Sequence, residues 1–504
     1  MVERLTVLSG TFRDSVSLML ASQDAQRIEG VASASVVSGT PLNIEVLGAA
    51  GFQLRADADV GPADLVVAVR AASEESASEA LASIEEALAG RKDSATTSPT
   101  VRPHSIVAAN ARGRGDLAVI SVPGTAAAYE CASAIEDGLD VFCFSSGFGL
   151  MTERKLKRRA LERNLVLMGP DCGTAIVDGV GIGFCNELKH GPVGIVAASG
   201  TGAQQVSCLL DSAGVGVSQL IGVGGRDMRS EIGGLMSRQA IKTLAADPDV
   251  SCLVVIGKSP DPLVAAEIAE HAIASGKPAV LAFPGSQPTA ARPGVEIVDS
   301  LESAAARAAT ICGGSLPAEP EEHRVPSASG SIRGLFCGGT LRDEAVAVVT
   351  RSVARTRPPL VLNGPVADCG DRDAFIDFGS EKLTAGRPHP MIDPRLRDEE
   401  VERQSADERV AVVLVDIVLG RCAHPDPAAS LAPAVERALA RRGDSLAIIV
   451  SMCGAQGDAQ DLVGQTDRLR SAGASVVRSN ARAARVAVSA VALTDPGGVG
   501  VDLD

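Results

Sequence analysis

Apolar runs of roughly five to seven residues alternate along the chain with amphipathic stretches of about ten to fifteen, the punctuation of strand–helix–strand units. That rhythm predicts an α/β protein with mostly parallel sheets covered by helices. Residues 1 to about 90 predict strands at Leu5–Leu8, Val31–Val37 and Leu65–Val69, with helices over Ser15–Ile28 and Glu74–Leu88: a small α+β module. Arg91–Pro103, with its Ser, Thr and Pro, reads as a linker. The next segment, to about 190, predicts strands at Leu117–Val122, Val141–Phe144 and Leu165–Met168 and a helix over Ala126–Asp137. It also holds a basic helix, Glu153–Arg163, whose cations Arg154, Lys155, Lys157, Arg158, Arg159 and Arg163 read as a solvated face. A third segment, 191–315, predicts strands at Val193–Ala197, Leu253–Ile256 and Ala279–Phe283. Its helix over Ala203–Ala213 stops at Gly214. Gly313–Ser331, with Pro317, Pro320 and Pro326, is a second linker. The last segment, 332–504, predicts strands at Gly334–Cys337, Leu360–Leu362, Val410–Val415 and Leu446–Val450, and a long loop over Thr384–Arg409.

Composition narrows the function classes. At roughly 150 residues per domain, 504 residues imply three or four domains. With 47 Lys plus Arg against 62 Asp plus Glu, the net charge is −15. Such a balance opposes nucleic-acid binding and a polybasic membrane anchor. Ten Phe, one Tyr and no Trp leave little for a base-stacking platform. The eleven Cys include no C-x-x-C pair, which argues against a structural zinc site or disulfide framework and for buried thiols in a reducing, cytoplasmic setting. No metal is expected. Met1–Gly10 does not read as a signal peptide, and no apolar run approaches membrane-spanning length.

One device recurs. Val119–Thr125 (VISVPGT), Val196–Thr201 (VAASGT) and Leu335–Thr340 (LFCGGT) each pass from an apolar strand through Gly-Thr into a helix. The first amides of a helix lack intrahelical partners and carry roughly half a positive charge. Gly lets the backbone approach an anion closely. Ser199, Gly200, Thr201 and Gly202 therefore form one candidate phosphate or carboxylate seat, and Gly338, Gly339 and Thr340 a second. Neither is a Walker A loop or a G-x-G-x-x-G fingerprint.

These residues carry a resemblance. Gly169-Pro170-Asp171-Cys172-Gly173, Gly194-Ile195-Val196 with Ser199-Gly200-Thr201, and Gly222-Val223-Gly224-Gly225 resemble, in order, loops of the succinyl-CoA synthetase α subunit. The chain more fully resembles the FdrA family, whose G-R-P-H-P-M-I-D string stands at Gly386–Asp393, with the turn at 338–341 and the run Asp416–Gly420. The resemblance implies a Rossmann-like CoA-binding-type domain (101–190), two flavodoxin-like succinyl-CoA synthetase-type domains (191–315 and 332–504) and the small N-terminal module (1–100). It adds Asp171, Cys172 and Gly173 to the anion-binding candidates. It implies a multisubunit oxamate carbamoyltransferase of purine and allantoin catabolism, acting with two further proteins on carbamoyl phosphate. Partners would be a small anionic substrate and the other subunits, with a homo-oligomer as a further option. The chain departs from acid–thiol ligases in three respects: Phe283-Pro284-Gly285-Ser286-Gln287-Pro288, where those enzymes carry a phosphorylated His, contains none; Ser121–Thr125 replaces their Gly- and Thr-rich N-terminal CoA loop; and no ATP-grasp domain is evident. CoA is accordingly not expected as cofactor. An acyl-CoA synthetase subunit and a non-catalytic scaffold stand as alternatives.

His389, between Pro388 and Pro390 and close to Arg387, reads as a proton-transferring partner of an Arg–His anion clamp, or as a loop histidine bonded to backbone. On the catalytic reading, His389→Ala lowers turnover of the assembled enzyme by roughly tenfold or more; steady-state rates check it. Ser199 suits an N-cap or an anion ligand, and Cys172 a structural thiol. Asn363-Gly364-Pro365 and Cys453-Gly454-Ala455 follow strands and read as crevice-lining or plain turns. Arg226-Asp227 reads as an ion pair or an anion contact.

Overall fold

The computed structural model describes residues 1–11, 13–52, 60–89, 103–113, 115–285, 292–318, 329–352, 359–362 and 369–491. Most of both expected linkers, Ser286–Pro288 and Asn363-Gly364-Pro365 lie outside them. The chain forms two compact units: 1–101 with 363–365 and 378–393, and the remainder.

In the first unit the strands pair antiparallel in the order Val2–Leu8, Leu65–Ala71, Val31–Ser38. The central strand is apolar at nearly every position because both its faces are covered. Leu65, Val67 and Val69 pack with Leu18 and Ile84 of the helices Ser15–Gln26 and Glu74–Ala89. Val66 and Ala68 pack with Leu47 and Phe52 on the other side. Leu47 belongs to a helix over Pro41–Ala49 that the hydrophobic pattern did not mark. Segment 378–393 belongs to this unit: Asn43, itself buried, donates from Nδ2 to the carbonyls of Ser38 (2.8 Å) and Gly386 (3.2 Å).

The described residues of the larger unit form three sheets. Leu117–Ile120, Asp140–Cys143 and Leu167–Met168 form a small parallel one. A seven-stranded sheet runs Val295–Val298, Ala279–Ala282, Cys252–Ile256, Val193–Ala197, Val217–Gly222, then the hairpin Thr174–Val177 and Val180–Gly183. Its first five strands are parallel, and the hairpin joins antiparallel. A six-stranded parallel sheet runs Leu360–Leu362, Ala374–Asp377, Ser331–Phe336, Val410–Val418, Ala447–Cys453, Ser475–Val477. The architecture is the expected mixed α/β one with parallel sheets and a small N-terminal module. The central strands Val193–Ala197, Val410–Val418 and Ala447–Cys453 are buried along their whole length, as strands covered on both faces must be.

Two expectations are corrected. Thr384–Arg409 is not one loop: Arg395–Ser405 is a helix. It escaped notice because the face it buries is mostly polar, carrying Arg397, Asp398, Gln404 and Ser405 beside Val401. The basic helix, Leu150–Glu162, is solvated only in part. Lys155, Arg158 and Arg159 are exposed, but Glu153 and Lys157 are fully buried. Lys157 Nζ donates to Asp227 Oδ1 (2.8 Å) and the Val223 carbonyl (2.9 Å) and pairs with Glu153 (2.8 Å). Arg226 pairs with Glu153 (2.9 Å). Asp227 also accepts from the Met236 and Ser237 amides at the start of the Leu235–Ala246 helix. Arg226-Asp227 is thus an ion-pair element. Charge neutralisation inside the network is what allows a basic helix to go under.

A polar seam joins the seven- and six-stranded sheets. Asp458 accepts from Asn186 Nδ2 (2.7 Å), the Glu187 amide (2.8 Å) and the Ala455 amide (2.7 Å). Asn186 also donates to the Leu419 carbonyl (2.9 Å), and the Arg421 amide to the Cys185 carbonyl (2.7 Å).

Candidate functional site

The two Gly-Thr turns that the sequence singles out meet. Ser199 caps the helix Gly200–Ser212, accepting the Gly202 amide at 2.9 Å. The helix Gly339–Arg351 starts from Gly338, which supplies no side-chain cap. A Cβ on Gly338 would stand 2.4 Å from Thr201 Oγ1 and 2.8 Å from its Cβ, and one on Gly202 would stand 3.2 Å from Thr340 Cγ2. Each helix thus sets its Thr against a glycine of the other, and only glycine at 338 permits that approach. The third turn, Gly124-Thr125, is largely exposed and packs instead on the Ser146 carbonyl, which would stand 2.5 Å from a Cβ on Gly124.

Three side chains reach these first turns without any sequence signal. The Lys258 ammonium lies 2.9 Å, and the Asp377 Oδ2 2.8 Å, from where a Cβ on Gly339 would stand. Lys258 pairs with Asp343 (2.8 Å), which Arg342 also holds (2.6 Å). On the other helix, Thr174 Oγ1 lies 3.2 Å from the corresponding point on Gly200. No pattern around a lone Lys in Gly257-Lys258-Ser259 announces this; the strand end alone could have suggested it, since ligands bind at the carboxyl edge of such sheets.

The predicted loop Asp171-Cys172-Gly173 leads straight into Thr174. Asp171 takes a left-handed backbone (φ 59°) with its amide on the Ser145 carbonyl (3.0 Å). Cys172 is buried, its Sγ close to the Gly222 backbone, and burial pushes its thiol up to about 12. It is a packing thiol at neutral pH, not a thiolate. None of the eleven cysteines is in a disulfide, and most are buried.

Beneath the second turn, Asp416 accepts the Cys337 amide (2.8 Å) and pairs with the buried Arg397 (3.2 Å). Burial, opposed by Arg397, pushes its carboxyl up to about 6. Cys453-Gly454-Ala455 contributes to the seam, through the Ala455 amide, and its Cys453 Sγ lies 3.9 Å from Cys208 Sγ.

Arg387 and His389 belong to the smaller unit, the Gly-Thr turns to the larger. Arg387 Nε donates to Asn43 Oδ1, and His389 Nδ1 accepts the Met391 amide at 3.3 Å. That contact leaves the ring's proton on Nε2 when the imidazole is neutral.

A second buried carboxylate of the larger unit, besides Asp416, sets a pH dependence. Glu344, on the Gly339–Arg351 helix, accepts the Leu301 amide (2.7 Å) and Asn480 Nδ2 (2.7 Å). Burial pushes its carboxyl up to about 7. With the folded value above the unfolded one, the unfolded chain ionises first, so stability falls as pH rises between about 4.5 and 7. Glu344→Gln is expected to raise stability at pH 8 by on the order of 2 kcal/mol and to flatten that fall; urea melts at pH 5 and 8 check it.

Three family models match parts of the chain, the CoA binding one over 188–285 and not over the 101–190 segment expected to be CoA-binding-type. Residues 1–103 match the family described as AllF, heavy metal-associated domain; 188–285 match the CoA binding domain; 335–490 match CoA-ligase. The chain is 34% identical over 499 residues to the Uncharacterized protein YahF of Escherichia coli (strain K12), covering 95% of this chain and 96% of that protein. It is 31% identical over 152 residues to the succinate–CoA ligase [ADP-forming] subunit alpha-2 of Trichomonas vaginalis, covering 29% of this chain and 48% of that one. Subunit alpha 1 of Archaeoglobus fulgidus is 29% identical over 159 residues, 31% of this chain and 53% of that one. The chain thus spans about half the length of these ligase subunits. A dinucleotide forming acetyl-coenzyme A synthetase of Ca. Korarchaeum cryptofilum aligns at 15% identity and a TM-score of 0.33, over 74% of this chain and 82% of that one. Residues 1–103 contain no Cys and no His, so neither thiolate nor imidazole donors for a heavy metal are among them. Among the described residues no helix is long and apolar enough to cross a membrane.

Proposed function

The chain belongs to the FdrA-like family that includes YahF and is built on a CoA-ligase-type scaffold, and from that premise we propose that it is a carbamoyltransferase subunit that seats carbamoyl phosphate or phosphate between its two Gly-Thr helix ends. The observation that carries this reading is the contact of Thr201 with Gly338 and of Thr340 with Gly202. Two helix N-termini there bring their first-turn amides, of which the Gly202 amide is capped by Ser199, and their partial positive charge to one locus. A small dianion is what such a locus binds well.

The chemistry asks little else of the protein. In the transfer to oxamate, its amide nitrogen attacks the carbamoyl carbon and the new C–N bond forms. The C–O bond to phosphorus breaks, and the proton lost by nitrogen leaves on the released phosphate. Fixed N–H donors stabilise the departing phosphate and, in the reverse direction, hold it for attack. The catabolic direction runs from the carbamoylated amide and phosphate to carbamoyl phosphate.

A second reading, an acid–thiol ligase subunit, draws on the CoA-ligase and CoA binding matches. Against it, the chain has no His between His271 and His323 to carry a phosphoryl group. Assays of the full chain, alone and with the products of neighbouring genes, separate the two. Carbamoyl phosphate formation supports the first; CoA-dependent ADP release without it supports the second. Neither activity, with partners captured, would leave a scaffold.

A further inference from the structure

We propose that Lys258 and Thr174 are the side chains that select a doubly charged phosphate-type ligand at the meeting of the two helices. This deepens the reading above and rests on it. The first helical residue is glycine in both helices, Gly200 and Gly339. In both, the space a side chain would fill is held instead by a polar group from elsewhere: the Thr174 hydroxyl at 3.2 Å and the Lys258 ammonium at 2.9 Å.

Each group has the character of a ligand contact. Thr174 is 3% exposed and its hydroxyl has no hydrogen-bond partner. Buried hydroxyls are ordinarily bonded, so an orphan aimed at a helix N-terminus calls for an acceptor from outside the chain. Lys258 keeps 36% of its side chain exposed and shares Asp343 with Arg342. Its ammonium can therefore turn to an incoming anion while Asp343 stays paired. Asp377 stands beside the same glycine, so removing Lys258 would leave that carboxylate facing a dianion. The ammonium thus decides how much negative charge the locus tolerates. The hydroxyl, on the first helix, adds direction rather than charge.

The test is calorimetric titration of the full chain with inorganic phosphate at pH 6 and pH 8, which changes the ligand from mainly singly to mainly doubly charged. Wild type is expected to bind more tightly at pH 8. Lys258→Met is expected to weaken binding at pH 8 by roughly tenfold and to erase the preference for the dianion, with Lys258→Arg restoring most of it. Thr174→Val is expected to weaken binding by roughly threefold at both pH values, and Thr174→Ser to retain it. Lys242→Met, on a distant exposed helix face, serves as the unaffected control. Thermal melts of every variant separate binding from folding. If phosphate binds wild type, Lys258→Met and Thr174→Val alike, the inference falls while the anion site stands. If wild type binds no phosphate at either pH, the site itself falls and the inference with it.

Discussion

Lys157→Met is expected to cost about 3–5 kcal/mol of folding stability, the cost of stranding buried charge. Lys157 sits at the centre of a network in which it and both carboxylate partners are fully buried. Removing the ammonium leaves Asp227 to its Ser237 hydroxyl and helix-start amides, and Glu153 to Arg226. Because the network ties the Leu150–Glu162 helix to the Leu235–Ala246 helix, the loss falls on the junction of the small parallel sheet with its neighbour. Methionine matches the length of the lysine stem, so a cavity contributes little. The control is the triple change Lys157→Met, Glu153→Gln, Asp227→Asn, which removes the stranded charges and is expected to recover at least half the loss. Urea unfolding at pH 7.5 measures both. A single variant as stable as wild type would show that the network contributes nothing net.

Gly338→Val is expected to lower phosphate affinity by roughly a hundredfold, the scale of losing a preorganised donor from an anion site. The new side chain would begin 2.4 Å from Thr201 Oγ1 and 2.5 Å from its Cγ2, so one turn must move off the other. The overpacking adds a stability loss of about 1–3 kcal/mol. Thr201→Ala on the same background removes two of the three clashing atoms and is expected to recover part of both effects. Calorimetry and melts together decide. Unchanged phosphate binding in Gly338→Val would mean that the approach of the two helices has no bearing on the anion.

Much of this arrangement is legible in the residues. Strand positions follow from unbroken apolar runs, because strands covered on both faces have no polar face to alternate with. The Gly-Thr turns stand out because backbone chemistry at a helix start requires small and hydroxylated residues in a fixed order. What escaped had the opposite character. The Arg395–Ser405 helix buries a polar face, so a search for apolar periodicity passes over it. Lys157 looks like its solvated neighbours until Asp227, seventy residues on, is folded against it. Lys258 and Thr174 acquire meaning only from the missing side chains of Gly339 and Gly200, glycines that neither of them neighbours in sequence. Those are facts of tertiary proximity, and no local pattern encodes them.

The seam of Asn186, Glu187 and Asp458 has a consequence for how such a locus can exist at all. Helix starts carry like partial charge, and left to diffuse they would avoid one another. Carried on one polypeptide and clasped by neutral and charge-assisted bonds that reach the first helix through Gln204, they meet at an effective concentration no free pair of lobes would reach. The repulsion is thus held in reserve. An anion seated as proposed would relieve it, and so would tighten the very clasp that prepared its seat.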